Sequence, residues 1–498
     1  MAERSDPTSE PQSIYRNLSA RMKAAQTVRR TGRVTKSVGI VIESDGPPAE
    51  VGELCEISTG RGTIEAEVVG FRDERLLLMP LGETMRIGAG SPVSASGSPM
   101  MVSVGEQMLG RVFDGLGRPL DGRPTPPAEA FLPAQASPPP AMARRRITDP
   151  LPMGVRAIDG VLTCGRGQRI GIFAGAGIGK STLLGMIGRN CASDVNVIGL
   201  IGERGREVRE FVEETLGEEG LARSVVIAAT SDQPPLVRLR GAQIATTIAE
   251  FFRNRGADVL LMMDSITRVA WAQREVGLAV GEPPTRNGYT PSVFAELPRL
   301  LERSGMGERG SITAMYTILV EGDDMSEPVA DAARSILDGH IVLSRDLANR
   351  GQYPAIDVLE SISRLMDAIV DDEHLKHARD LCAMLAAYAE HEDLISLGAY
   401  EEGTDARVDR AIALRPSILR FLQQAHGERP VFEDTLQALA EAIHPAPEPS
   451  PGHHELPSEP APRRRRVPDA VASFEAAAGA GTEAPTHPTD SNRNLSGD

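Results

Sequence analysis

The segment AGAGIGKS, residues 174–181, constrains the fold of this chain more than any other feature. It follows the apolar run RIGIF and precedes the helical pattern TLLGMIGR, so a strand enters it and a helix leaves it. Gly175, Gly177 and Gly179 allow the backbone to turn tightly and to point its N–H groups at an anion where the helix begins. The segment therefore predicts a strand, a phosphate-binding loop and a helix in succession.

Two polar side chains at the end of this loop determine its chemistry. Lys180 is predicted to neutralise the β- and γ-phosphates of a nucleotide, and Ser181 to offer its hydroxyl to Mg²⁺. The first position of the usual G-x-x-x-x-G-K-[ST] pattern is Ala174, a change that costs little where φ is ordinary. The predicted nucleotide-binding residues are Gly175, Ala176, Gly177, Ile178, Gly179, Lys180, Ser181 and Thr182.

Acidic residues follow two further predicted strands. Asp264 ends the apolar run VLLMMD, where a carboxylate can hold the water shell of magnesium. Glu203, in IGERGREV, is predicted to be the base that activates water, because the carboxyl ends of parallel strands face the ligand. Arg204 and Glu207 lie in the same turn. They either tune the phosphate and metal environment or form a surface ion-pair cluster, and spacing alone leaves both open.

The order of apolar patterns predicts an α/β protein with three folded domains. Period-two alternation over residues 32–98 indicates a small β-barrel. Six strand-like runs then alternate with helical patterns, which predicts a nucleotide-binding domain over 99–365 with a mainly parallel sheet covered by helices on both faces. Apolar steps of three and four predict a helical domain over 366–444.

Three other segments have sequence patterns that differ from those of the folded domains. Residues 1–31 carry an apolar stripe at helical spacing, so we expect an amphipathic partner-binding segment, although docking on this chain itself is an equal alternative. The proline-rich stretch 123–140 predicts an extended surface connection, neither helix nor central strand. Residues 445–498 lack periodic apolar positions and are predicted to be a disordered tail.

Composition excludes several classes of protein. The 498 residues include 53 Lys and Arg against 69 Asp and Glu, and the resulting formal charge of −16 argues against broad capture of nucleic acid. Four widely spaced cysteines without a CxxC pair suggest neither a disulfide framework nor a zinc site. No apolar run approaches the roughly 18 residues of a transmembrane helix. We therefore expect a protein of the reducing cytosol.

Ordered blocks between about residues 32 and 440 resemble the hexameric rotary-type ATPases, and within them the ATPases of flagellar protein export and type III secretion. The blocks include GVRAIDGVLTCGRGQRIGIFAGAGIGKSTLLG, GLIGERGREVREF, MMDSITRVAWAQRE, GEPPTRNGYTPSVFAELPRLLERSG and YPAIDVLESISRLM. The resemblance implies an N-terminal β-barrel, a central RecA-like domain and a C-terminal helical domain. It also implies a homohexamer that binds ATP and Mg²⁺.

The resemblance also implies roles for individual residues. Glu203 corresponds to the water-activating glutamate, Asp264 to the acid at the magnesium site, and Lys180 and Ser181 to the phosphate and Mg²⁺ contacts. Arg364, in SISR, corresponds to an arginine finger that reaches a neighbour's site, a role that spacing alone would not have revealed. Tyr353, opening YPAIDV, corresponds to the aromatic that packs on adenine. The segment GEPPTRNGYTP, 281–291, corresponds to a loop facing the central channel of the ring.

The function implied by this resemblance is an ATP-hydrolysing motor that energises chaperone release, unfolding or loading of exported proteins. Such an ATPase is cytoplasmic and peripheral at the inner-membrane export apparatus. Its implied partners are a regulatory stator-like protein at the N-terminus, a central stalk-like protein, export chaperones and cargo, and a membrane export gate, without nucleic acid. GVRAID, GERGREVREF, ATSDQPPL and GAYEEGTD favour the flagellar system. The alternatives are a virulence-type secretion ATPase, a rotary ATP synthase subunit, an RNA translocase, or a docking platform with a vestigial site.

Overall fold

The computed structural model describes residues 30–82, 87–320, 322 and 324–444. The predicted amphipathic stripe near the N-terminus and the predicted tail 445–498 lie outside the described residues.

Six strands at the start of the described chain close into a barrel. They are β1 Thr31–Val38, β2 Val41–Ser44, β3 Glu53–Thr59, β4 Gly62–Arg72, β5 Arg75–Pro80 and β6 Pro92–Pro99. Their order around the barrel is β1-β2-β5-β4-β3-β6, with antiparallel neighbours throughout. Alternate side chains, among them Ile42, Ile57 and Val93, fill the interior. The predicted β-barrel is confirmed.

A larger sheet forms the centre of the molecule. The strands after the barrel are β7 Met101–Val104, β8 Arg111–Asp114, β9 Ala130–Pro133, β10 Arg169–Ala174, β11 Val195–Ile201, β12 Ser224–Ala229, β13 Asp258–Asp264, β14 Gly305–Met306, β15 Ser311–Leu319, β16 Gly339–Leu343 and β17 Ile356–Ser363. The sheet has the order β17-β16-β10-β15-β13-β11-β12-β8, and β14 pairs with β15. Of these strands, β17 and β14 run antiparallel to their neighbours. The predicted, mainly parallel sheet is confirmed.

Helices cover both faces of this sheet, as the continuous burial of its central strands requires. They are α1 Arg156–Val161, α2 Lys180–Asn190, α3 Gly205–Glu210, α4 Gly217–Ala222, α5 Pro235–Asn254, α6 Ile266–Val280, α7 Pro291–Leu301, α8 Pro328–Ile336, α9 Arg345–Asn349, α10 Met366–Ile369, α11 Asp372–Ser396, α12 Ala406–Leu422 and α13 Phe432–Ile443. A π-helical turn, Phe211–Leu216, joins α3 to α4. Helices α5 to α8 pack on one face, and α1, α2 and α11 to α13 contribute to the core on the other.

The proline-rich connection differs in part from its prediction. Its residues 130–133 form β9, which pairs with β7 in a two-stranded ribbon, and Ala134 is fully buried. The short apolar run AFLP lies between the proline clusters, so its backbone donors remain available for pairing. The segment is extended, as expected, but part of it belongs to the core.

An ion pair joins the barrel to helix α5 of the central domain. Arg240 on α5 donates its Nε to Glu67 Oε2 of β4 at 2.7 Å, and both side chains are almost completely buried. Removal of either partner would leave the other charge buried without its counter-ion, which is costly. None of the described helices has both the length and the apolar character needed to cross a bilayer.

Candidate active site

The glycine-rich loop lies at the carboxyl end of β10. Gly177 and Gly179 have φ of +78° and +88°, which places both in the left-handed region that favours glycine. The loop ends where α2 begins at Lys180, and the side chains of Ser181 and Thr182 in its first turn are exposed. Backbone N–H groups at the start of a helix are free to bind an anion. The predicted strand, loop and helix are therefore present, with the open side facing solvent.

Three ionisable side chains at or after the ends of different strands meet beside this loop. Parallel pairing places the ends of β10, β11 and β13 at one edge of the sheet. The Lys180 ammonium contacts the Asp264 carboxylate directly and lies 3.7 Å from Glu203 Oε1. All three side chains are largely buried, since their exposed fractions are 12%, 6% and 18%. The structure thus brings together the residues that the sequence predicted for phosphate, metal and water.

Thr317 orients the carboxylate of Asp264. Its hydroxyl donates to Asp264 Oδ1 at 2.7 Å from the neighbouring strand β15. The sequence analysis missed this residue. A polar side chain near the end of the apolar run SITAMYTIL was the available signal, but only the pairing of β13 with β15 shows which acid it serves.

Glu203 has the electrostatics of a proton acceptor. Burial, and next the negative charge of Asp264, raise its pKa to about 7, against the opposing effect of Lys180. Glu207 shares a hydrogen bond with Glu203. Burial opposes ionisation of Glu207, but that bond and the adjacent Arg204 lower its pKa overall. A carboxyl with a pKa near neutrality is substantially ionised at pH 7 and still basic enough to accept a proton, which suits general-base chemistry.

Arg204 and Glu207 form the ion-pair cluster that spacing had left as one alternative. Arg204 Nη1 donates to Glu207 Oε1 at 3.0 Å, and Arg206 reaches the same oxygen at 3.2 Å. Both arginines are exposed. Glu207 connects to the buried acids through its bond with Glu203. Their predicted roles toward phosphate and metal stay predictions.

Arg268, on α6, is a second residue that the sequence analysis missed. A side-chain Cβ at Gly202 would lie 2.8 Å from the Cβ of Arg268, and Gly202 has a φ of +73°. The turn that carries Glu203 can therefore approach Arg268 only through a glycine. The positive charge of Arg268 favours the ionised form of Glu203. A cation four residues after Asp264, in the first turn of the next helix, was the signal available in the sequence.

Tyr353 and Arg364 lie at opposite ends of the edge strand β17. Tyr353 precedes the strand, is 49% exposed, and lies beside the loop, with its ring 3.6 Å from the position of a Cβ on Gly179. Arg364 follows the strand at the amino ends of the parallel strands, away from the loop, because Ser363 pairs with Gly339 at the start of β16. The paired strand β16, Gly339–Leu343, spans about 13 Å between these two ends. The structure brings Tyr353 to the phosphate-binding loop and holds Arg364 away from it.

The residues at the loop suit a magnesium ion bound together with a nucleotide. Lys180 already places a positive charge between two carboxylates, which shows that this position accommodates a cation. The described residues contain no cluster of three or more His, Cys, Asp or Glu that could hold a metal alone. Mg²⁺ commonly takes one or two protein ligands and completes its shell with phosphate oxygens and water. Ser181 and Asp264 provide such a partial set.

Comparisons with protein families agree with this geometry. Residues 34–97 match the beta-barrel domain of the ATP synthase alpha/beta family, and residues 154–363 match its nucleotide-binding domain. Residues 370–441 match the C-terminal domain of the type III secretion ATPase EscN. The three matches follow the same order along the chain as the barrel, the central sheet and the C-terminal helices.

Individual relatives are similar over most of their length. The flagellum-specific ATP synthase of Bacillus subtilis is 53% identical over 422 residues, covering 84% of this chain and 96% of the relative. The type 3 secretion system ATPase of Xanthomonas euvesicatoria is 52% identical, covering 82% and 93%. Assembled EscN from enteropathogenic E. coli has a TM-score of 0.80 at 44% identity, covering 83% of this chain and all of EscN. This chain is therefore an ATPase and belongs to the family of flagellum-specific and type III secretion ATPases, within the ATP synthase alpha/beta family.

Proposed function

We propose that this ATPase is the motor of flagellum-specific protein export and works as a ring of six identical subunits. In this proposal, hydrolysis energises chaperone release, unfolding or loading of exported proteins. The flagellum-specific relatives in Bacillus subtilis and Salmonella typhimurium, 53% and 51% identical, support it. The second candidate is the ATPase of a virulence-type secretion system, which the 52% identical Xanthomonas relative supports. A rotary ATP synthase subunit is disfavoured by the match of residues 370–441 to the secretion-type C-terminal domain.

The convergence of Lys180, Glu203 and Asp264 at one edge of the sheet carries the proposed mechanism. Glu203 accepts a proton from the attacking water. Lys180 leaves Asp264 to bind the β- and γ-phosphates. Ser181 and Asp264 would hold magnesium, which would offset negative charge on the phosphates. The exposed ring of Tyr353 packs on the adenine.

Arg364 belongs in this proposal to the site of the neighbouring subunit. Its guanidinium lies at the edge of the sheet opposite the phosphate-binding loop of its own chain. A cation supplied in trans stabilises charge in the transition state, and its removal costs on the order of 10³–10⁵ in rate. Each subunit would then give a loop to one interface and an arginine to the other, which suits a ring of identical chains.

The partners in this proposal come from the resemblance to export ATPases, and one solved relative supports the stalk. EscN has been solved in complex with its central stalk EscO, at 44% identity to this chain, and loop 281–291 would face a similar stalk-like protein. A regulatory stator-like protein would bind residues 1–31. Export chaperones, cargo and the membrane export gate complete the set. The enzyme would be cytoplasmic and peripheral at the inner-membrane export apparatus.

Replacing Glu203 tests the proposed mechanism. Glu203→Gln should retain nucleotide binding but lose phosphate release by about 10²–10⁴-fold, because the amide cannot accept the proton. The matched control is Glu210→Gln, an exposed acid on α3, which should keep normal turnover. Equal turnover in Glu203→Gln and the parent would contradict the mechanism.

The same variant tests the flagellar assignment in cells. The assignment predicts that cells carrying Glu203→Gln lose export of the hook protein, while export of needle protein is unaffected.

A further inference from the structure

The hydroxyl of Tyr289 links loop 281–291 to two helices. The loop is exposed over residues 283–287, but Tyr289 is 4% exposed. Its hydroxyl accepts a hydrogen bond from Trp271 Nε1 at 3.0 Å and donates one to Glu327 Oε1 at 2.7 Å. The carbonyl of Tyr289 also accepts from both the backbone N–H and the hydroxyl of Thr285. A displacement of the exposed part of the loop therefore acts directly on this buried ring.

Glu327 connects the hydroxyl of Tyr289 to the start of helix α8. While Oε1 accepts from Tyr289, Oε2 accepts from the backbone N–H of Ala330 at 3.2 Å and so caps the first turn of the helix. Glu327 thus contacts both the hydroxyl of Tyr289 and the start of α8.

The other end of α8 holds Arg364. The guanidinium donates to the carbonyl of Leu337 at 3.1 Å and to that of Arg334 at 3.3 Å. Carbonyls at the end of a helix lack partners within it and carry partial negative charge, so they bind a cation well. Glu327 contacts one end of α8 and Arg364 the other, about 14 Å away, so a shift of the helix at Glu327 would move the carbonyls that hold Arg364.

Trp271 anchors the same hydroxyl to the helix that begins at the nucleotide site. It lies on α6, which starts directly after Asp264 and Ser265, and its ring stacks under the guanidinium of Arg268 at 4.6 Å. Tyr289 is therefore held between α6, which is fixed to the site of its own chain, and α8, which carries the arginine.

We propose that Tyr289 is a positioning residue for Arg364, through which the conformation of loop 281–291 sets the placement of the guanidinium in the neighbouring site. This inference rests on the proposed function, in which Arg364 acts across the subunit interface. A protein bound against the loop would then change the hydrolysis rate at the interface that Arg364 serves, without touching the nucleotide.

Removing one oxygen atom tests this inference. Tyr289→Phe keeps the ring and loses both hydrogen bonds of the hydroxyl. We expect kcat of full-length protein to fall about tenfold, since small displacements of a catalytic group cost up to roughly 10²-fold, while KM for magnesium-ATP stays within about twofold. Tyr316→Phe is the matched control, because it removes a fully buried hydroxyl that bonds only to Ser304 within the described contacts. Equal kcat for Tyr289→Phe and the parent, with similar thermal stability, would overturn the inference.

Subunit mixing identifies the side of the interface on which Tyr289 acts. Lys180→Ala subunits supply only the arginine, and Arg364→Ala subunits supply only the loop. Adding Tyr289→Phe to the arginine donor should lower the activity of the mixture about tenfold. Adding it to the loop donor should leave that activity unchanged. The reverse pattern, or equal losses in both mixtures, would overturn the inference, because the hydroxyl would then act on the site of its own chain.

The two proposals fail in different ways. Full activity of Arg364→Ala would contradict the proposed function itself. Loss of activity in Arg364→Ala together with full activity in Tyr289→Phe would leave the proposed function intact and overturn only the role of Tyr289.

Discussion

At Glu203 the proposed chemistry and the stability of the folded protein make opposite demands. Its carboxyl is buried next to Asp264, which raises its pKa to about 7 and makes it a better proton acceptor at neutral pH. The same burial makes its ionised form costly in the folded protein. Active sites commonly accept such a cost, because the arrangement that chemistry requires is not the most stable one.

The pH dependence of stability follows from this shift. A carboxyl with a pKa raised from 4.5 to about 7 on folding destabilises the protein progressively as pH rises between these values. Glu203→Gln should therefore be more stable than the parent at pH 8, by about 1–3 kcal/mol, and the difference should narrow toward pH 5. Urea unfolding at several pH values measures it. If the difference in unfolding free energy between the two proteins is the same at every pH, the pKa of Glu203 is not raised in the folded enzyme.

The activity of the parent enzyme should depend on the same ionisation. The pH profile of kcat/KM reports groups of the free enzyme, so kcat/KM should rise as pH increases through about 7. Initial rates at low ATP concentration across pH 5.5–8.5 give this profile. A rise centred near 4.5 would contradict the assignment of Glu203 as the base.

At the scale of elements, α5 and β4 depend on one buried ion pair. Arg240 and Glu67 are 4% and 3% exposed. Glu67→Ala leaves an unpaired cation in the interior and should cost about 3–5 kcal/mol. The control is Glu65→Ala on the same strand, because Glu65 pairs with Arg118 at 2.7 Å but in solvent, and such pairs contribute less than about 1 kcal/mol. Denaturant unfolding measures the free energy of unfolding of both variants. Equal losses of this free energy would contradict the importance of the buried pair.

At the scale of the whole molecule, assembly and hydrolysis should depend on each other. Arg364→Ala should bind nucleotide yet hydrolyse little, and Lys180→Ala should lack both activities. An equimolar mixture should regain activity, since about a quarter of the interfaces in a randomly mixed ring pair an intact loop with an intact arginine. Phosphate release across mixing ratios measures this. Absence of rescue at every ratio would contradict the shared site.

The sequence predicted those features that depend on neighbouring residues. The glycine pattern at 174–181 specifies a loop between a strand and a helix because backbone freedom and helix initiation are local properties. The apolar runs around Asp264 and Glu203 predicted buried strands for the same reason. Pattern alone also predicted the domain boundaries at residues 98, 365 and 444, and these stay predictions. The resemblance implied the roles of Tyr353 and Arg364, and these roles stay predictions too.

Only the tertiary structure decided which distant residues meet. Strand order puts β15 between β10 and β13, so Thr317 reaches Asp264 although 53 residues separate them. The antiparallel run of β17 puts Tyr353 and Arg364 at opposite edges of the sheet, and α8 connects Arg364 to the buried hydroxyl of Tyr289. These contacts depend on pairing partners and register, which short-range patterns do not encode, because one apolar strand can pair equally well with several others.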